Sequence, residues 1–288
     1  MRVHGVDFSG SAEPGNDIWL VSGRCSTDGA PQRVDLQVTA ARSASEAFGA
    51  TERNAVLRGL RRFIRGADER TSDPQVTGLD CSFGLPRAVL PDAVAETDVW
   101  RATLEWVRET FSGADASEFQ SALRARARAS DADGVDLKRA TDHATGASSP
   151  YSFITYYQTL HGLRDLLWNV VRQDDVVVSP MVSPPAREQP TLVETYPAAT
   201  LRDLDLPDQT YKDDARHPGA RERRERILDG LLDRGVVLDG VSRQQLLGDA
   251  GGDALDSLVC AVAVARNAST AFTVDDSRYD PVEGYIYV

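Results

Sequence analysis

Lysine is almost missing from this chain of 288 residues: only Lys138 and Lys212 stand among its 32 basic side chains, against 44 acidic ones. The formal charge of -12 accompanies an aspartate-rich, lysine-poor composition similar to that of proteins from cells that hold molar salt. In ordinary buffer such a charge opposes nucleic acid. At about 1 M salt the screening length falls to about 3 Å, so acidity does not exclude a nucleic-acid substrate. Cysteine is equally scarce. Cys25, Cys81 and Cys260 are odd in number and have no C-x-x-C spacing, which argues against a disulfide framework or a structural zinc site and for buried, reduced thiols. No run approaches the roughly 18 apolar residues of a membrane span, and MRVHGVDFSG enters a strand pattern directly, with no signal-peptide layout. The expectation is a soluble cytoplasmic protein with no membrane partner.

What is present reads as an α/β chain. Residues 2 to 8, 17 to 24 and 33 to 39 are short strand candidates separated by turn residues, hence an antiparallel meander. From about 44 to 66 an apolar stripe (Val56, Leu57, Leu60, Phe63, Ile64) at helical spacing predicts a helix, and residues 75 to 80 return to strand. Residues 98 to about 171 read as three helices, the last long and aromatic. The polar stretch 130 to 150 is read as a flexible loop. Strand-like VVVSP (176 to 180) and TLVETYP (191 to 197) follow, divided by the proline-rich SPPAREQP. Helices are expected at about 217 to 234 and 253 to 266, and VEGYIYV is a last strand candidate. No internal repeat or linker divides the chain, so residues 1 to 288 read as one domain with a helical insertion at about 88 to 172.

Two strands end on a bare carboxylate: GVDFSG on Asp7 and GLDCSFGLP on Asp80. In an open α/β sheet ligands gather at the carboxyl ends of neighbouring strands. Glu194 ends another apolar strand, and Asp253 and Asp256, three residues apart, share a face in the first turn of the last helix. Like charges gathered in this way raise one another's pKa unless a cation sits among them. Mg²⁺ or Mn²⁺ is the hard cation that such oxygen donors suit, and its chemistry with phosphate oxygens points to phosphodiester cleavage in nucleic acid.

Each carboxylate has a plainer reading alone. Asp7 and Asp80 serve equally well as turn starters, Asp253 as a helix N-cap with Asp256 complementing the dipole, and Glu194 as an acceptor for backbone amides near Pro197. Ser9 and Gly10 are candidates for a phosphate contact through backbone amides. Arg139 and His143, in the polar stretch, are candidates for substrate contact; His161 is a lone histidine on the aromatic helix. That helix reads first as core or lid packing, and only second as a base-stacking surface.

The set GVDFSG, GLDCSFGLP, VETYPAATL and DALDSLVCAVAVA closely resembles the predicted RNase H-like nuclease family known as domain-of-unknown-function family 429. Its members carry a first-strand Asp, an iD-x-P-x-G-L-P loop, a vE-x-x-P strand and a last helix rich in D-x-L-D-A. The likeness runs from residue 3 to the C-terminal GYIYV, with Cys81-Ser82 and Ser257 as departures that remove no carboxylate. It implies a mixed five-stranded central sheet, an antiparallel meander followed by parallel strands, flanked by helices. It also implies Asp7 as the metal-bridging carboxylate, Asp80 as its partner, Asp253 and Asp256 as the last-helix ligands, and Glu194 as part of the family's own motif. An actin-like phosphotransferase and a non-catalytic binding module are the alternatives, since both use the same core.

Overall fold

In the computed structural model, which describes residues 1–26, 33–67, 73–153, 155–182 and 189–288, RVHGVD forms β1 (Arg2–Asp7), every residue of it buried. It is buried because it lies centrally. β2 (Trp19–Cys25) pairs with it antiparallel on one side and β4 (Gln75–Asp80) parallel on the other. β3 (Leu36–Ser43) completes the meander, and β6 (Thr191–Thr195) runs parallel to β4. Three short strands extend the sheet: β5 (Val177–Ser179) and β8 (Ile286–Tyr287) share the outer edge of β6, and β7 (Val236–Leu238) joins β3. Among the described residues the result is one mixed eight-stranded sheet rather than the five strands expected. β5 and β8 fall within the strand candidates VVVSP and VEGYIYV, whereas the three residues of β7 are too short to carry a readable alternation. Most of SPPAREQP, residues 183–188, lies outside the described residues.

The helix expected over 44 to 66 is two. Ser43 and Glu46 form a capping box for α1 (Ala44–Phe48), which ends at Gly49 in the left-handed region, and α2 (Arg53–Ile64) starts anew behind Glu52. The insertion comprises α3 (Asp92–Ala95), α4 (Trp100–Thr110), α5 (Ala116–Ala129), α6 (Ala140–Thr145) and α7 (Thr155–Leu160). A π-helical stretch, His161–Leu167, carries α7 into α8 (Trp168–Val171). After β6 come α9 (Pro197–Asp203), α10 (Ala220–Asp233), α11 (Arg243–Leu247) and α12 (Asp253–Ser269).

Alternation along β1 assigns the layers, because successive side chains point to opposite faces. Val6, with Leu79 of β4, packs on Leu57, Leu60 and Ile64 of α2 and on the insertion. Val3, with Val76 and Val193, packs on Leu258 and Val262 of α12. Each fully buried Leu or Val in these layers contributes about 1.5–3 kcal/mol. Register places Gly5 beside Gly78 under α12. A Cβ at Gly5 would stand 2.0 Å from the Ser257 carbonyl, and one at Gly78 2.9 Å from that of Cys260. The helix therefore lies directly on the sheet backbone. The three cysteines are buried and free, and among the described residues no helix is long and apolar enough to cross a membrane.

Candidate functional site

The parallel register of β1 and β4 pairs Asp7 with Asp80, the last residue of each strand. Asp7 shares the α12 face with Gly5, and α12 begins at Asp253, with Asp256 in its first turn. Gly252, in the left-handed region, is the N-cap of this helix. Asp249 accepts from the Ala254 N–H at 3.0 Å, so Asp253 is free of the capping role. The four aspartates converge: Asp7 lies within side-chain hydrogen-bonding reach of both Asp80 and Asp253. Into this group reaches Lys212, from the loop after α9. Its ammonium contacts Asp256 Oδ2 and stands 3.7 Å from Asp253 Oδ1, while the Tyr211 hydroxyl donates to Asp256 Oδ1 at 2.7 Å.

One ammonium does not neutralise four carboxylates. Burial pushes the Asp7 carboxyl well above the usual range, against the pull of Lys212 and with further push from Asp256, Asp80 and Asp253. Burial and then Asp256 lift Asp80 to about 7. Asp253 is raised to about 6, mainly by burial, with Lys212 opposing and Asp249 and Asp256 adding. Carboxyls this close share protons until positive charge arrives. The donor set, hard oxygens from strand ends and a helix start, has the chemistry that Mg²⁺ or Mn²⁺ prefers. Its present spacing is that of a lysine site: among the described residues no group of three or more His, Cys, Asp or Glu side chains is arranged to hold a metal ion.

The aspartates open onto a cleft of about 500 Å³, bordered by Ser9, Gly10 and Ser11 of the β1–β2 loop and by Tyr157 and Gln158 of α7. Arg53 ties that loop down, donating to the carbonyls of Gly10 at 3.1 Å and Ser11 at 2.6 Å. The Ser9 hydroxyl is occupied locally, accepting from the Ser11 N–H at 3.2 Å. Gln158 straps the two strand ends together: its side-chain amide donates to the carbonyls of Phe8 and Asp80, both at 2.6 Å. Sequence reasoning missed Lys212 and Gln158. For Lys212 the rarity of lysine was the available signal; for Gln158 there was none.

The remaining candidates lie elsewhere. Glu194 pairs with Leu79, one register step before Asp80, so its side chain leaves the opposite face of the sheet. There Arg139 meets it. All five N–H groups of that guanidinium are used: two go to Glu194 (2.6 and 2.9 Å), two to Asp142 (2.7 and 3.0 Å) and one to the Glu283 carbonyl (3.1 Å). Glu194 also accepts from the Phe83 N–H at 3.1 Å. The structure thus does not bring Glu194 into the aspartate group. The polar stretch read as a loop is pinned: Arg139 is 1% exposed, its burial offset by acceptors from Asp142 in the same α6 turn and from two distant segments, Glu194 and Glu283. It has no donor left for a substrate. His143 stands on the exposed side of α6, and His161 bonds Asp165 at 2.6 Å within its own helix.

The family described as protein of unknown function (DUF429) matches residues 34–278. No curated protein and no solved structure matches the chain. The matched span holds Asp80, Glu194, Lys212, Asp253 and Asp256, and Asp7 precedes it. With most of its length inside that match, the chain belongs to the DUF429 family.

Proposed function

We propose that this protein is a divalent-cation-dependent hydrolase of phosphodiester bonds in nucleic acid, built on an RNase H-like core. The observation that carries the reading is the in-register pair Asp7 and Asp80 at the ends of parallel strands, met by Asp253 and Asp256 from the first turn of α12. The central strands β3-β2-β1-β4-β6 form a meander followed by strands parallel to β1, which supports the RNase H-like part. The described strands make one sheet rather than a duplicated core, which does not favour an actin-like phosphotransferase.

Asp7, Asp80, Asp253 and Asp256 would hold the Mg²⁺ or Mn²⁺, whose contribution is to activate water and to neutralise phosphate oxygens. Hydrolysis forms one P–O bond to a water oxygen and breaks the P–O bond to the leaving sugar oxygen, which takes up a proton. The chain's part is positioning. Gln158 fixes the ends of β1 and β4, and Arg53 holds the Ser9-Gly10-Ser11 loop against the cleft. Two features support a polynucleotide. Tyr157 on the rim is 45% exposed and nearby Phe153 81% exposed, placed for base stacking. Arg58 and Arg61 share one face of α2, with Arg172 near Arg61, a short basic ridge on an acidic protein.

The test is cleavage of DNA, RNA, hybrid and branched substrates with Mg²⁺ or Mn²⁺, with Asp7→Asn as control. The wild type should cleave at least one class and lose about a hundredfold or more of its rate on substitution. Equal inactivity of both proteins on every substrate would remove the proposal.

A further inference from the structure

We infer that Lys212 is the internal counter-cation of the aspartate site. A divalent cation enters by displacing its ammonium from Asp256, and the freed ammonium then meets an anionic oxygen of the substrate in the cleft. The inference rests on the metal reading above and adds a moving part to it.

Position is the first argument. The ammonium stands against Asp256 and 3.7 Å from Asp253, among the oxygens that a metal ion would need. Among the described residues no other Lys or Arg side chain forms an ion pair with any of the four aspartates. Displacement also has somewhere to go. The Lys212 side chain is 45% exposed and borders the cleft, whereas that of Asp256 is 3% exposed. Tyr211 holds the other oxygen of Asp256 at 2.7 Å, so the carboxylate keeps its place when the ammonium leaves.

Residue choice is the second argument. Where this chain needs a permanent buried cation, as at Glu194, it uses arginine, whose planar fork locks two carboxylates at once. Lysine carries a compact charge on a flexible stem that can be withdrawn without breaking a fork of bonds. The chain has only two lysines, and one of them is here.

Two lysines also make the test clean. Protein labelled with ¹³C at the lysine ε-carbon gives two side-chain signals, Lys138 serving as internal reference. Addition of Mg²⁺ should move the Lys212 signal in a saturable way and leave that of Lys138 in place. Calorimetric titration should show Lys212→Gln binding Mn²⁺ about tenfold more tightly than wild type, because the competing charge is gone. The variant should also melt lower than wild type in EDTA and recover with Mg²⁺. If wild type binds Mg²⁺ while the Lys212 signal stays still, or the variant's affinity is unchanged, Lys212 is a fixed ion-pair partner; the exchange fails and the metal site stands. If neither protein binds Mg²⁺ or Mn²⁺, both readings fall. Should the variant not fold, the wild-type spectrum alone decides.

Discussion

Arg139 and Lys212 are both held by carboxylates near the carboxyl ends of the parallel strands, on opposite faces of one sheet, and the two clusters are built to different rules. Around Arg139 every donor is matched: five N–H groups meet five oxygens, and the guanidinium, Asp142 and Glu194 are each 2% exposed or less. Around Lys212 one ammonium faces four aspartates, two of which have pKa values lifted to about 6 and about 7. A closed set has nothing left to offer a ligand. A set with surplus negative charge is held under strain that a ligand can relieve, which is where binding energy is available. Burial and acidity therefore do not mark a site on their own; the unmatched balance of charge does.

The comparison breaks most visibly at Arg139. Arg139→Met leaves Asp142 and Glu194 buried without a cation, and urea denaturation should register a loss of about 3–5 kcal/mol. A loss under about 1 kcal/mol would mean the cluster is not the tie described. Neutralising the other cluster should act in the opposite direction. In EDTA at pH 7, Asp80→Asn should raise unfolding free energy by about 1–2 kcal/mol while abolishing activity, as expected where function is bought with stability. A carboxyl raised to about 7 keeps its proton in the folded state while the unfolded chain, at 3.8, has lost it. Wild-type stability relative to Asp80→Asn should therefore fall as pH rises from about 4 to about 7, by up to about 1.4 kcal/mol per unit. Taking the difference cancels the contrary slope of His4, whose buried imidazole titrates at about 3. A flat or rising difference would sink the charge account of the site. The smallest effect sharpens the picture. Gln158→Leu should cost about 1 kcal/mol of stability yet lower kcat more than KM rises, since the amide holds strand ends rather than substrate. Unchanged kcat would remove its positioning role.

Much of the aspartate group was legible because strand ends and helix starts are local events. QVTGLD reads as a strand and is β4 to the residue, and Asp253 and Asp256 share a turn in any helix that contains them. The register that sets Asp7 against Asp80 follows from β1 being central, a property of the whole sheet. Lys212 was marked in the sequence only by the rarity of lysine, and its place in the site was not legible, since its loop reaches the aspartates only through the packing of α9, α10 and α12. Arg139 and Glu194 were misplaced for a related reason. Residue 139 lies 55 positions before its partner, and a polar stretch looks the same whether water or a distant strand satisfies it. β7 vanishes in sequence because three residues carry no period, whereas β5, equally short, shows as part of the β-branched run VVV.

The two side-by-side glycines beneath α12 give the aspartate group a remote control. Because the helix rests on bare backbone at Gly5 and Gly78, the height of its first turn above the strand ends is dictated by the thickness of two missing methyl groups. Adding one would act as a shim, tilting Asp253 and Asp256 away from Asp7 and Asp80 and widening the aperture without altering a single charge.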